Sequence, residues 1–222
     1  GGALTKDLID LCEEAGINYI DLYTSNPEAR STLGQALAGR REKFILQGHL
    51  CTIWQNGQYK RTRRIEEVKA GFSDMLERLG TDYIDVGMIH YVDTLEDWNE
   101  VANGPVMAYA KELKAAGAIG CIGMSSHNPI AALEAVNSGL IDVLMFSVNP
   151  CYDLQPGTRE LTELYSNDNY TSPMVNFDPS RVALYETCQR LGVGITVMKA
   201  FGGGDLLSET LSPAGKALTP IQ

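Results

Sequence analysis

The sequence predicts an α/β protein built around a parallel β-sheet. Short apolar runs of strand length alternate with amphipathic helical segments, a rhythm typical of βαβ crossovers. Nearly every predicted helix is followed by a glycine just before the next strand, namely at positions 16, 80, 117, 139 and 192. The chain of 222 residues, 44% of them hydrophobic, is long enough for one large α/β domain or two small ones.

The elements follow from hydrophobic periodicity. Leu33 and Leu37 share one face of the second helix, and Val68 and Phe72 recur at helical spacing in the third, which ends at Gly80. In chain order, helices are predicted at 5–15, 27–38, 65–79, 106–116, 129–136 and 180–191. The strands are predicted at 17–21, 43–50, 83–90, 118–124, 143–148 and 193–198.

Two polar stretches interrupt this alternation, and we interpret both as loop insertions at the site face. They are residues 51–64, with Trp54 and Tyr59, and residues 155–178, which are rich in Pro, Asn, Ser and Thr. A solvated insertion without a role is the alternative for the second. Six predicted strands are two fewer than a closed barrel of about eight needs. We therefore expect residues 1–222 to be a single barrel domain that is incomplete at both ends.

Charge and cysteine usage exclude several functions. A formal net charge of -10 repels phosphate backbones and anionic lipid, so we expect neither a nucleic-acid nor a membrane partner. The five cysteines are widely spaced and include no CxxC, which favours reduced thiols over disulfides or a cysteine-bound metal. The chain start has no apolar signal region, and no apolar run is long enough for a membrane helix. The protein is expected to be cytoplasmic.

Candidate catalytic residues lie at the strand ends, where parallel α/β folds bind ligands. Asp21 ends the first strand, His49 lies near the end of the second, and His90 ends the third. His127 follows the fourth, so all three histidines of the chain lie at strand ends. A histidine there can donate a proton or polarise a carbonyl group. Without an HxH or HExxH pairing, we expect no metal site.

Further polar residues follow the later strands. Ser125, Ser126 and Asn149 offer the neutral donors and acceptors that a carboxamide needs. Lys199 follows the last strand, where it could bind an anion, act as an amine nucleophile, or form an ion pair at the rim of the sheet.

Three segments resemble the aldo-keto reductase family. Residues 16–21 are similar to the segment with the family's catalytic aspartate, and residues 79–93 to its strand-four signature with the catalytic histidine. Residues 117–126 are similar to its fifth strand, where a serine and an asparagine hold the nicotinamide. The resemblance runs over residues 3–222 and extends to the subgroup that often carries a C-terminal ferredoxin-like domain. Any 4Fe-4S cluster would belong to segments outside this chain.

The resemblance implies a (β/α)8 TIM barrel, NADP(H) as cofactor and a small-molecule carbonyl substrate. The family uses a tetrad of Asp, Tyr, Lys and His, in which the tyrosine donates the proton. Asp21 and His90 match two of these residues, but Asn26 stands at the tyrosine position and His49 at the lysine position. On this basis we expect a non-standard catalytic set, with a cofactor site formed by Ser125, Ser126, Asn149 and Lys199.

Three functions are compatible with this pattern. Since asparagine cannot donate a proton at useful pH, the first is a nicotinamide-dependent oxidoreductase whose acid is His90 or His49. The second is a degenerate barrel that binds a ligand or partner without redox turnover. The third is a Schiff-base lyase that uses Lys199. No substrate or oligomeric state is predicted.

Overall fold

The computed structural model describes residues 4–149, 178–212 and 216–217. The chain divides into two compact units, one formed by residues 1–90 with 101–123 and the other by residues 91–100 with 124–222. Parallel strands alternate with helices in both units, which confirms the predicted α/β class. None of the helices in these ranges combines the length and apolar character needed to cross a membrane.

The element order follows the predicted alternation. The first unit contains α1 (Lys6–Glu14), β1 (Tyr19–Leu22), α2 (Pro27–Leu37), β2 (Ile45–Leu50), β3 (Thr52–Gln55), β4 (Gln58–Arg61), α3 (Ile65–Leu79) and β5 (Ile84–Ile89). Next along the chain come α4 (Leu95–Asn103), α5 (Pro105–Ala115) and β6 (Ile119–Ser126), of which α4 and β6 have residues in both units. The second unit continues with α6 (Pro129–Asn137), β7 (Val143–Ser147), α7 (Pro179–Leu191) and β8 (Gly194–Met198).

In the first unit, β1, β2 and β5 lie side by side and parallel. Asp21 is paired in register with Gln47, and His49 with Met88. Because these strands run in the same direction, their carboxyl ends meet at one edge of the sheet. Buried apolar side chains of this unit include Leu33 of α2, Leu46 of β2, Met75 of α3, and Ile84 and Met88 of β5, none more than 1% exposed.

Glycine decides where helices end and how closely two of them approach. Gly80 and Gly192, which follow α3 and α7, have φ angles of 64° and 70°, in the left-handed region that glycine adopts without strain. Gly34 in α2 lies directly on the backbone of Arg78 and Leu79 at the end of α3, where a Cβ atom would overlap with that backbone. The packing of α2 on α3 therefore requires glycine at position 34.

Residues 51–64 differ from the sequence prediction, which assigned them to a loop. They contain an antiparallel hairpin in which Trp54 of β3 is paired with Tyr59 of β4. Asn56 and Gly57 form the turn with φ angles of 54° and 76°, as expected for the tight turns that match the twist of a hairpin. Helix α4 was also not predicted. Of the second predicted insertion, residues 155–177 lie outside the described residues.

In the second unit, β7 and β8 are parallel, with Ser147 in register with Met198. Phe146 is fully buried, and the Arg181 guanidinium of α7 lies 4.9 Å from the centroid of its ring. Arg181 also donates a hydrogen bond to the Ser147 carbonyl oxygen at 3.1 Å. Helix α7 is thereby fixed against the carboxyl end of β7.

Candidate active site

Asp21, His49 and His90 form one hydrogen-bonded chain in the first unit, and we call these three residues the histidine cluster. His49 Nε2 lies 2.9 Å from Asp21 Oδ1, and His49 Nδ1 lies 2.7 Å from His90 Nδ1. The two imidazole rings meet edge to face with their centroids 4.9 Å apart. The structure thus brings together three residues that the sequence placed at separate strand ends.

Hydrogen-bond chemistry limits the protonation states of the histidine cluster. An ionised carboxylate only accepts, so His49 donates its Nε2–H to Asp21. Of the two facing Nδ1 atoms, one must donate and the other accept, so a single proton lies between the rings. His49 is 3% exposed, and a positive charge on such a buried group requires a partner, which the Asp21 carboxylate provides.

Gln47 extends the histidine cluster on its carboxylate side. Its Nε2 donates to Asp21 Oδ1 at 2.7 Å, and its Oε1 accepts from the Tyr19 hydroxyl at 2.8 Å. Burial, together with the nearby Asp21 charge, raises the pKa of Tyr19 to about 12, so this phenol remains a donor. The sequence analysis missed Gln47. The signal was its position two residues before His49, since alternate residues of a strand point to the same face.

The hairpin β3–β4 contacts both histidines. Thr52 Oγ1 donates to the His49 carbonyl oxygen at 3.2 Å, and Arg63 Nη1 donates to the His90 carbonyl oxygen at 2.5 Å. The Tyr59 ring meets the His90 ring edge to face, with 5.6 Å between centroids. The segment was predicted to lie at the site, but these individual contacts were not predicted.

Asn26 has a different structural position from the other three predicted catalytic residues. It is the N-cap of α2, and its Oδ1 accepts from the Ala29 backbone N–H at 3.0 Å. Asn26 and Asp21 both line a cavity of about 570 Å³ beside β1 and α2. The structure therefore places Asn26 near Asp21 but gives its side chain the task of starting a helix.

In the second unit, residues 125–128 lead from β6 into α6, and we call them the serine loop. The Ser125 hydroxyl is buried and has no hydrogen-bond partner within the described part of the chain. The Ser126 hydroxyl lies 3.3 Å from Asp93 Oδ1 and 3.2 Å from the Asn128 carbonyl oxygen, to either of which it can donate. Of the two predicted serines, Ser125 is therefore the one whose hydroxyl can serve a ligand.

Asn149 and Lys199 also meet in the second unit. Asn149 Nδ2 donates to the Lys199 carbonyl oxygen at 2.8 Å. Lys199 has a φ of 54°, a left-handed conformation that costs a residue with a Cβ atom about 1–2 kcal/mol. Desolvation lowers the pKa of the Lys199 amine, and the Asp93 charge opposes this shift. Asn149 thus stabilises a strained turn that presents a lysine.

The cofactor implied by the sequence resemblance can be tested against these groups. A nicotinamide carboxamide needs a donor or acceptor that the protein has not already paired, and the buried Ser125 hydroxyl meets that condition. The Lys199 ammonium could bind an anionic phosphate. Among the described residues, no group of three or more His, Cys, Asp or Glu side chains is arranged to hold a metal ion.

Comparisons with known proteins indicate the family of this chain. The model of the aldo/keto reductase family matches residues 4–217. The aldo-keto reductase YhdN of Bacillus subtilis is 31% identical over 181 residues, which are 76% of this chain and 51% of that relative. The uncharacterized oxidoreductase YqkF of the same organism is 30% identical over 143 residues, covering 62% of this chain and 45% of that relative.

A solved structure is also similar. The holo form of aldo-keto reductase AKR11C1 from Bacillus halodurans superimposes with a TM-score of 0.66 at 25% identity, covering 97% of this chain and 63% of that one. The chain belongs to the aldo/keto reductase family of oxidoreductases, and its fold is the TIM-barrel-like fold of that family. It spans about half the length of the curated relatives it matches.

Proposed function

We propose that the protein is an NADP(H)-dependent carbonyl reductase in which the histidine cluster supplies the proton. The observation that carries this proposal is the continuous chain from Asp21 through His49 to His90. Family membership supports the oxidoreductase class, and the cluster supplies an acid where the family's tyrosine position holds the helix-capping Asn26.

The proton step follows from the hydrogen-bond directions. With Asp21 as counter-ion, His49 carries the positive charge and donates its Nδ1–H to His90 Nδ1. Because His90 Nδ1 accepts this bond, the proton of the neutral His90 ring lies on Nε2. From Nε2 it passes to the oxygen of the substrate carbonyl as that oxygen becomes negative. As Nε2 releases this proton, His90 Nδ1 takes the proton from His49 Nδ1, so His90 stays neutral throughout. The pair has lost one proton, and His49 remains bonded to Asp21 through Nε2–H.

The other half of the reduction depends on the cofactor. When bound, NADPH would supply the hydride for reduction of the carbonyl carbon. Ser125 would hold the carboxamide through its unpaired hydroxyl, and Lys199 would bind a phosphate. Ser125 and Lys199 both belong to the second unit.

A substitution series in the full-length protein tests the role of the histidine cluster. We expect His90→Ala to lower kcat for NADPH-dependent aldehyde reduction by about 100- to 10,000-fold, the usual contribution of general acid catalysis. His49→Ala should lower kcat by less, because His90 keeps its own ring. Lys111→Ala, on an exposed face of α5, is the matched control. Unchanged turnover in both histidine variants would remove histidine from proton transfer.

A second candidate, a Schiff-base lyase, has one supporting observation. The lowered pKa of Lys199 increases the fraction of its amine that is neutral and nucleophilic. Trapping with borohydride, described in the Discussion, separates this candidate from the reductase. NADPH binding without turnover of any carbonyl compound would instead favour a ligand-binding barrel.

A further inference from the structure

Asp93 is a buried carboxylate outside the histidine cluster, and the sequence analysis assigned it no role. It is 2% exposed. Burying an ionised carboxylate is costly unless hydrogen bonds and opposite charges replace its water. The groups that surround Asp93 therefore indicate what the residue does.

Three donors of the serine loop converge on the Asp93 side chain. Oδ1 accepts the His127 backbone N–H at 2.7 Å and lies 3.3 Å from the Ser126 hydroxyl. Oδ2 lies 3.1 Å from His127 Nδ1, which donates to the carboxylate. Hydrogen bonds to an ionised carboxylate are about twice as strong as neutral ones. One side chain thus fixes two consecutive residues of the loop.

The backbone next to Asp93 holds both ends of the same loop. The Val92 N–H donates to the Ser125 carbonyl oxygen at 2.8 Å, and Asn128 Nδ2 donates to the Asp93 carbonyl oxygen at 2.9 Å. Asn128 is in turn the N-cap of α6, accepting from the Ile130 N–H at 2.9 Å. All four residues of the serine loop are therefore bonded to residues 92–93.

The Ser125 hydroxyl is the exception within this network. The Ser125 backbone is held by the Val92 N–H. The Ser125 Oγ atom, in contrast, is buried and has no hydrogen-bond partner among the described residues. A buried unpaired hydroxyl costs about 1–3 kcal/mol, and the surrounding structure must maintain it. A rigid loop with one unpaired donor is the arrangement expected of a preorganised ligand contact.

We propose that Asp93 is a positioning residue for cofactor binding, holding the serine loop so that the Ser125 hydroxyl meets the ligand. This inference rests on the proposed function, because the ligand is taken to be the nicotinamide carboxamide. In this proposal Asp93 acts through Ser125 and does not itself touch the cofactor, and its charge acts in addition on the Lys199 amine. Its effect should appear in cofactor affinity and leave the chemical step nearly unchanged.

The experiment is a double-mutant cycle in the full-length protein, with NADPH binding followed by fluorescence and turnover by NADPH oxidation. We expect Ser125→Ala to raise the Kd for NADPH by about tenfold, the equivalent of one hydrogen bond. Asp93→Ala should raise Kd by a similar or larger factor, while kcat at saturating NADPH changes less than about threefold. The double variant should bind no more weakly than Asp93→Ala alone, because coupled residues are not additive.

Two further variants separate positioning from a general effect on folding. Asp93→Asn keeps an acceptor for the His127 amide, so it should restore part of the affinity lost in Asp93→Ala. Glu134→Ala, an exposed carboxylate on α6, should bind NADPH as the unmodified protein does. If Asp93→Ala does not fold, Asp93→Asn takes its place in the cycle.

The outcomes distinguish the inference from the proposed function. If the unmodified protein does not bind NADPH, both are overturned. If it binds NADPH and the Asp93 variants bind equally well, only the role of Asp93 is overturned. Additive effects of Asp93 and Ser125 would also overturn it, since the two residues would then act independently.

Discussion

Arg63 donates a hydrogen bond to the His90 carbonyl oxygen over 2.5 Å, which connects a residue two positions after β4 with the residue that directly follows β5. Thr52, at the start of the same hairpin, donates to the His49 carbonyl oxygen. Thr52 of the hairpin and Arg63 just after it therefore hold the backbone of the two histidines, whose rings meet through their Nδ1 atoms. Their 2.7 Å separation depends on β3 and β4 as well as on the parallel strands.

Removing Arg63 should loosen the histidine cluster. We expect Arg63→Ala to lower the free energy of unfolding by about 1–3 kcal/mol, since the His90 carbonyl oxygen loses a charged donor. Turnover should fall as well, because His90 is no longer held. Urea unfolding and kcat measure the two effects. Arg64→Ala is the control, because that side chain is 77% exposed and should change stability by less than about 0.5 kcal/mol.

Asn26 is expected to affect stability more than chemistry. Asn26→Ala removes the side chain that caps α2, which should lower the free energy of unfolding by about 1 kcal/mol. Asn26→Asp retains the cap and should restore that stability. If both variants instead lost turnover equally, Asn26 would act in the reaction and not only as a helix cap.

Tyr19 should make the protein sensitive to alkali. Its pKa is about 12 in the folded state against 10.0 for the free side chain, so between these values the folded protein keeps a proton that the unfolded chain has lost. Stability therefore falls as pH rises through this window. We expect Tyr19→Phe to flatten the decline of the unfolding free energy between about pH 10 and 12. A decline as steep as that of the unmodified protein would contradict this assignment.

Lys199 should form no covalent adduct if the protein is a reductase. We expect borohydride treatment in the presence of an aldehyde to leave Lys199 unmodified beyond the level seen at exposed Lys111, as read by peptide mass spectrometry. Selective reduction of an imine onto Lys199, abolished in Lys199→Arg, would instead support the lyase. Because desolvation lowers the pKa of Lys199, its amine is more often neutral than that of an exposed lysine, so any imine formation there would be readily detected.

Much of the fold could be predicted because local signals and tertiary structure agree. The helix predicted at 65–79 matches α3, and the glycines predicted to end helices have positive φ angles. The hairpin was missed because its two strands are only four residues long and contain few apolar residues. Its Asn56-Gly57 turn was nevertheless visible in the sequence, and it is the strongest short-range signal for such a turn.

The site was predictable to the extent that topology determines it. Parallel strands end at one edge, so Asp21, His49 and His90 could be expected to lie close together. The direction of each side chain and its partners depend on contacts between residues far apart in sequence. Arg63 and Asp93 belong to that second kind, since each gains its role from a residue at least 27 positions away.

Gly34 sets a limit on how this protein can evolve. Any side chain at that position would be forced into the backbone of Arg78 and Leu79, so substitution requires α2 to move as a body, together with the cavity that it shares with Asp21. Gly16 and Gly39 have open space around them and are restricted only by φ angles of 74° and 75°. Asparagine is therefore an accessible replacement at those two turns. We therefore expect position 34 to tolerate substitution less than positions 16 and 39.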